Sequence, residues 1–181
     1  MDARAAYLIS LLYFCGFSFF TSFIGVLLVV RYGFSAASVG TFFGIVGVWM
    51  VITQMFFLRI VSSKFSEKAI LRYSLPVVAA TIALYPFMPA SIWLYVLIPL
   101  MSIPQGFAMA NITALISKSV SPQKQGAALG INGSLTAFSQ GLIPLLAGIG
   151  SGFFGLSLPF IVGAMFSLSA WAVLFTRAMR R

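Results

Sequence analysis

Charged residues are scarce in this chain of 181 residues, in which Lys and Arg number 11, Asp and Glu number 2, and His is absent. Charged residues make up 7% of the sequence, against about 25% in an average soluble domain. So few charges cannot cover the surface of a soluble domain of this size. The composition therefore excludes a soluble enzyme and a disordered segment, and it predicts a protein embedded in a bilayer.

The missing residue types also exclude most catalytic chemistry. The two carboxylates are Asp2 and Glu67, and the single cysteine is Cys15. General acid–base pairs, Ser–His–Asp and Cys–His triads and zinc sites all need residue types that this set lacks. One cysteine forms no intrachain disulfide, and we interpret it as a small packing residue. We therefore expect no enzyme activity, no cofactor and no metal site.

Long apolar runs dominate what is present, since 61% of the residues are hydrophobic. A helix that crosses the hydrocarbon core needs about 20 mostly apolar residues. Six stretches have this character, namely residues 5–30, 38–60, 70–85, 91–117, 126–149 and 156–176. The first is too long for a signal peptide and no small-residue cleavage site follows it. The sequence predicts an all-α polytopic membrane protein, in which residues 1–181 form one bundle of six transmembrane helices.

The basic residues lie mainly on one side of this predicted topology. With six spans, both termini share a side with the loops 61–69 and 118–125. That side holds Arg4, Arg59, Lys64, Lys68, Arg72, Lys118, Lys124, Arg177, Arg180 and Arg181, and the other side holds Arg31. By the positive-inside rule we expect both termini to be cytoplasmic. Topology and contact with anionic lipid explain the net charge of +9, so we do not expect nucleic acid as a partner.

Small residues recur on helix faces in two of the stretches. Gly40, Gly44 and Gly47 share one face of the second, and a similar stripe runs along the fifth: Gly126, Gly130, Gly133, Ala137, Gly141 and Gly148. Because lipid offers no hydrophobic drive between helices, we expect these stripes to pack the helices closely together. A split near residue 90 gives a 3+3 arrangement, which is common in transporters.

Polar side chains at membrane depth are few. Asn132, Thr136 and Gln140 follow one another at four-residue intervals in the fifth stretch, and Tyr13, Phe17 and Thr21 do so in the first. An unpartnered amide is costly in lipid, so these residues face either a cavity or a neighbouring helix. The spacing leaves both interpretations open.

Three segments carry a family resemblance. Residues 105–117 (QGFAMANITALIS), 121–130 (SPQKQGAALG) and 141–148 (GLIPLLAG) resemble the tenth helix, the following loop and the eleventh helix of major facilitator superfamily transporters. In particular they resemble the drug:proton antiporter branch, which includes tetracycline and multidrug exporters. Where that branch has an Arg before the glycine that opens the eleventh helix, Gln125 precedes Gly126, and Lys124 lies one place earlier.

Residues 59–71 (RIVSSKFSEKAIL) resemble the degenerate loop motif between the eighth and ninth helices of the same superfamily. Ser63 and Ser66 stand in place of its Asp and Gly, while Lys64 and Lys68 keep positive charge. Ser102 stands near the place where the amino-terminal half carries an Arg. These departures identify the chain with the carboxy-terminal half, and Arg59, Lys64, Lys68, Lys124 and Gly126 are its loop-motif residues.

The resemblance implies one six-helix half of a twelve-helix carrier, with the cavity between the halves. Its wall would come from the first, second, fourth and fifth helices, which makes Tyr13, Phe17, Thr21, Gln54, Gln105, Asn132, Thr136 and Gln140 the cavity candidates. The implied function is alternating-access export of a small organic solute, coupled to protons through carboxylates in the other half. That half belongs to the same polypeptide, to a separate chain or to a homodimer, in a bacterial plasma (inner) membrane. A non-transporting subunit or a degenerate remnant is the alternative.

Overall fold

The computed structural model describes residues 3–179, except for the side chains of residues 147, 150–154 and 177–179. Six long helices follow one another with short connections. They are α1 (Ala3–Tyr32), α2 (Ala36–Ser62), α3 (Glu67–Leu84), α4 (Ser91–Lys118), α5 (Gln125–Phe154) and α6 (Leu158–Met179). The predicted all-α class is confirmed for these residues.

Serine residues are the N-caps of α2 and α3. Ser35 and Ser66 have extended backbone conformations, and their side chains accept hydrogen bonds from the backbone N–H groups of Ser38 and Ala69. A serine at this position satisfies one of the N–H groups that the first helical turn leaves without a partner. The connections between α1 and α2 and between α2 and α3 are short, and Gly33 in the first of them has a φ of 67°.

The last turn lies later in the chain than the sequence suggests. The predicted fifth stretch ends at residue 149 and a glycine-rich segment follows, but the backbone of residues 150–154 is helical and α5 continues to Phe154. The turn falls at Gly155, whose φ of 82° only glycine adopts readily. The sixth helix consequently begins at Leu158 rather than near residue 156.

Five helices within the described residues are long and apolar enough to cross a bilayer. They are α1, α2, the segment Glu67–Phe87, α4 and the segment Leu158–Thr176. The 30-residue α5 carries Asn132, Thr136 and Gln140 among its apolar residues. An integral membrane protein is confirmed, while a sixth crossing and the 3+3 layout stay predictions.

Backbone contact joins α1 to α6. A Cβ atom added to Gly16 would lie 2.5 Å from the carbonyl oxygen of Gly163, and one added to Gly163 would lie 2.7 Å from that of Gly16. On its other side α6 packs against α3, which in turn packs against α4. The core of buried apolar side chains lies between these four helices.

The glycine stripes do not pack helices of this chain together. A Cβ atom added to Gly40, Gly44 or Gly47 of α2 would meet nothing within 4 Å, and the same holds for Gly126, Gly130, Gly133 and Gly141 of α5. The expectation that these stripes hold the bundle together was therefore wrong. A run of small residues shows that a backbone is open to close approach, but it does not identify the approaching partner. Among the glycines that the structure describes, those that mediate close contacts are Gly16, Gly163 and Gly106.

Candidate functional site

The four helices predicted to line a cavity are neighbours in the structure. α1 and α4 contact each other, α2 packs against both, and α5 also packs against both. Few side chains of α2 are buried, namely Phe42 and Thr53. Most described side chains of α5 are exposed as well. The outward faces of α2 and α5, including their glycine stripes, are called the open face below.

The eight cavity candidates divide by exposure. Thr21, Gln54 and Gln140 are exposed, and Phe17 and Thr136 are half-buried. Tyr13, Gln105 and Asn132 are buried inside the bundle. The contacts that join members of the set lie within single helices, so the structure does not bring candidates from different helices together directly.

In α1 the three candidates form a column. The Tyr13 and Phe17 rings are stacked with centroids 6.3 Å apart, and the Thr21 hydroxyl donates to the Phe17 carbonyl oxygen at 3.2 Å. Tyr13 is fully buried, and its hydroxyl has no hydrogen-bond partner among the described residues. Only the Phe17–Thr21 end of the column reaches the surface.

A larger aromatic network joins α1 to α2, α4 and the turn after α3. From Phe17 it passes to Phe20, then to Tyr85 at 5.0 Å between ring centroids, to Phe42 at 6.5 Å and to Tyr95 at 5.8 Å. These rings come from α1, α2, α4 and the turn after α3. Phe17 and Phe20 lie three residues apart on α1, but the other rings come from distant segments, so no spacing along the chain groups the network. Offset and edge-to-face pairs of this kind each contribute about 0.5–1.5 kcal/mol of stability beyond the contribution from the apolar area that they bury.

Three polar contacts join α1 to α5. The Tyr7 hydroxyl donates to the Ala128 carbonyl oxygen at 3.3 Å, and the Ser10 hydroxyl donates to the Asn132 side-chain oxygen at 2.5 Å. Farther along, the Cys15 sulfur lies 3.3 Å from the Ser139 hydroxyl. The partner numbers rise together along both helices, so α1 and α5 run parallel in a fixed register. Of the two alternatives, a side chain facing a cavity or one facing a neighbouring helix, Asn132 therefore matches the second.

Gln140 lies on the exposed side of α5, level with the middle of α1. Pro144 has no N–H, so the Gln140 carbonyl also loses its usual helical donor four residues later. This part of α5 therefore presents an exposed amide side chain and a backbone carbonyl group that lacks its helical N–H donor. Such a site suits a polar or water-filled environment better than hydrocarbon.

Gln54 is exposed on a π-helical segment of α2, Thr53–Phe57. Thr53 faces the bundle, and its hydroxyl donates to the Trp49 carbonyl oxygen at 2.8 Å. A Cβ atom added to Gly106 of α4 would lie 2.8 Å from the Thr53 methyl group, so the two helices touch here. π segments inside α-helices occur frequently at functional sites. Gln105, next to Gly106, is buried behind this contact.

The loop-motif residues are mostly separate from one another. Arg59, Lys64, Lys124 and Gly126 are exposed, and Lys68 is half-buried. The described ion pair at this end joins Lys118 of α4 to Glu67 at the start of α3. This pair connects the loops 61–69 and 118–125, and the motif resemblance does not predict it. The described residues include no group of three His, Cys, Asp or Glu residues that could hold a metal ion.

Comparison with known proteins decides the family. The sequence profile described as Major Facilitator Superfamily matches residues 6–181. The chain belongs to the Major Facilitator Superfamily. The sequence resemblance is therefore confirmed at the level of the superfamily, which consists of membrane transporters.

A solved superfamily structure agrees in fold. The crystal structure of the human organic anion transporter MFSD10 (TETRAN) matches with a TM-score of 0.86 and 22% sequence identity, over 95% of this chain and 40% of that chain. The chain therefore spans less than half the length of that transporter. No curated protein matches the sequence significantly. At this identity the likeness shows the superfamily fold alone.

Proposed function

We propose that this chain is the carboxy-terminal six-helix half of a carrier that exports a small organic solute by alternating access, coupled to protons. The observation that carries the proposal is the exposure of Gln54 and Gln140 on the open face. Gln54 lies in a helix apolar enough to cross the membrane, and Gln140 lies beside the middle of another. A bare amide in hydrocarbon costs several kcal/mol, roughly 4–8 on alkane scales. The open face is thus better explained as the wall of an aqueous cavity.

A second six-helix half would cover the rest of this face. The glycine stripes of α2 and α5 have open space above them, and small residues let helix backbones approach closely in a membrane. The related solved transporter is more than twice as long as the part that this chain matches. Whether the second half is in the same polypeptide, a separate chain or another copy, it would rest on these stripes and leave the cavity between them.

The proposed wall consists of Phe17, Thr21, Gln54, Thr136 and Gln140, with Tyr13, Gln105 and Asn132 behind it. These side chains are aromatic or weakly polar and carry no charge, which favours a lipophilic or cationic organic solute over a sugar phosphate. The related human transporter is described as carrying organic anions, so an organic anion is the competing substrate class. The described carboxylate, Glu67, lies at a helix end, and we place the proton-coupling carboxylates in the second half.

The test begins with the size of the native polypeptide, probed in source membranes with an antibody to the carboxy-terminal residues. A band near twice 19.5 kDa supports a carrier with both halves in one chain. A band near 19.5 kDa requires a separate partner half or a homodimer, which cross-linking in the same membranes detects. A single chain without a partner would contradict the proposal and favour the non-transporting alternative.

Transport is then measured in vesicles with a lipophilic cationic dye and a fluorescent organic anion. The variant Gln54→Leu/Gln140→Leu removes both amides from the open face, and we expect the transport rate to fall at least tenfold. The control Gln123→Leu makes the same change in an exposed 3₁₀ turn between α4 and α5 and should transport normally. If the double variant transports like the wild type and is also more stable, the two glutamines face lipid and the proposed wall is wrong.

A further inference from the structure

A recess of about 310 Å³ opens between α3 and α6, at the end of the bundle that carries the loops 61–69 and 118–125. It lies away from the open face. Its polar lining comes from Lys68 and Arg72 of α3, and its aromatic lining comes from Tyr73, Trp171 and Phe175. Tryptophan and tyrosine are enriched where a membrane protein meets the lipid headgroups, and basic side chains extend to the same level.

Arg72 is held in place on the wall of this recess. The Trp171 indole N–H donates to the Arg72 carbonyl oxygen at 3.0 Å, and the Arg72 guanidinium lies 5.2 Å from the centre of the Phe175 ring. Pro76 lies four residues after Arg72 and has no N–H to donate. The indole therefore supplies the donor that the helix lacks, and it fixes α6 against α3 at this point.

The recess is positively charged. Glu67, the described carboxylate at this end, pairs with Lys118 of α4, and within the described residues no ion pair involves Lys68 or Arg72. Two cations in a partly enclosed recess at headgroup level attract an anion. The guanidinium group of Arg72 and the ammonium group of Lys68 are the kinds of side-chain group that bind phosphate oxygens best.

An apolar groove continues from the recess towards the other side of α3. A cavity of about 220 Å³ shares Ala69 and Tyr73 with the recess, and a further cavity of about 240 Å³ continues along α3 and α4 past Val77 and Pro99. Both lie against Phe107 and are almost wholly apolar. Ala69 and Tyr73 therefore line both the recess and the groove, and Ala69 contributes only a short side chain at their boundary.

We infer that this recess and groove bind one anionic phospholipid of the surrounding leaflet. Lys68 and Arg72 hold its phosphate, Trp171 and Tyr73 border the glycerol region, and an acyl chain lies in the groove between α3 and α4. A free phosphate ion would use the same two cations, but it would leave the groove unused. The continuity of the charged recess with an apolar groove favours the lipid. The inference does not depend on which solute the carrier moves.

The test uses the purified full-length protein in detergent and native mass spectrometry with phosphatidylglycerol, phosphatidylcholine or inorganic phosphate. We expect phosphatidylglycerol to bind in preference to phosphatidylcholine. Each basic residue near an anionic lipid contributes about fivefold in affinity, so Lys68→Gln/Arg72→Gln should weaken phosphatidylglycerol binding roughly 30-fold. The control Arg4→Gln/Arg31→Gln removes the same charge from exposed positions outside the recess and should bind within about twofold of the wild type.

Three results would overturn the inference. Equal binding of both lipids would show no headgroup selectivity, and an equal loss in the control would show an effect of net charge alone. Displacement of phosphatidylglycerol by millimolar inorganic phosphate would show a free-phosphate site. If the double variant does not fold, Lys68→Gln alone should show about a fivefold loss, since its side chain supports no described contact. The variant Ala69→Phe should block the path to the groove and weaken lipid binding while leaving both charges in place.

Discussion

Gly16 and Gly163 place the backbones of α1 and α6 in direct contact. Each glycine faces the carbonyl oxygen of the other, and neither position has room for a Cβ atom. Close backbone approach of this kind is a main source of helix association in a membrane, where apolar side chains gain little by leaving lipid. This contact joins α1 to α6, the first and last of the described helices.

Gly16→Ala should therefore destabilise the protein by about 1–3 kcal/mol, because the new methyl group would push the two backbones apart. Gly25→Ala is the matched control on the same helix, since its Cβ atom would meet nothing within 4 Å. That control should be neutral or stabilising by up to about 1 kcal/mol. The free energy of unfolding of each variant is measured by titration with sodium dodecyl sulfate in mixed micelles. Equal stability of the two variants would contradict the tight contact.

Gly106→Ala should destabilise the contact between α4 and the π segment of α2 by about 1–2 kcal/mol. The added methyl group would meet the Thr53 methyl at 2.8 Å. Thr53→Ser removes that methyl and keeps the hydroxyl that donates to Trp49. The double variant should recover most of the loss, giving a coupling of about 1 kcal/mol in a double-mutant cycle. Additive effects would place the strain elsewhere.

Ser10→Ala tests the hydrogen bond between α1 and α5. It leaves the buried Asn132 side-chain oxygen without its donor, and we expect a loss of about 0.6–1.7 kcal/mol in stability. Ser134→Ala is the control, because that serine is exposed and bonds only to its own helix. If Ser10→Ala lowers transport without changing stability, Asn132 belongs to the cavity wall after all.

Gly44→Leu tests whether the open face is an interface. The residue has open space around it in this chain, so the substitution should leave the stability of the isolated half unchanged or slightly higher. If a second half rests there, transport by the whole carrier should fall at least tenfold. Ala80→Leu adds similar bulk at an exposed position of α3 and should transport normally. Normal transport by Gly44→Leu would remove the stripe from the proposed interface.

The helices were predictable because long apolar runs leave the backbone no other way to satisfy its polar groups in lipid. The turn between α5 and α6 was not, because glycine is compatible with both a helix and a turn. Residues 150–152 stay helical, and only Gly155 takes a positive φ. The glycine stripes lie on surfaces that no other described helix approaches closely, and spacing along the sequence does not identify what packs against a stripe.

The candidate site was predictable only in part, for a geometric reason. Asn132, Thr136 and Gln140 follow at intervals of four, and each interval rotates the position by about 40° around the helix. Gln140 is thus about 80° from Asn132, whereas Ser139 is only about 20° away. Asn132 and Ser139 accordingly face α1, and Gln140 is exposed. The aromatic network depends on contacts between distant segments, which no spacing along the chain reveals.

The sparse attachment of α2 has a mechanical consequence. This helix buries only Phe42 and Thr53 of its described side chains, whereas α1 is held by glycine contact on one side and three polar contacts on the other. When the isolated chain is pulled out of a bilayer by its amino terminus, α1 should resist the most. When it is pulled from a handle in the loop between α2 and α3, α2 should leave first, at low force and as a separate step. The other helices of the bundle would then stay packed together after α2 has left the bilayer.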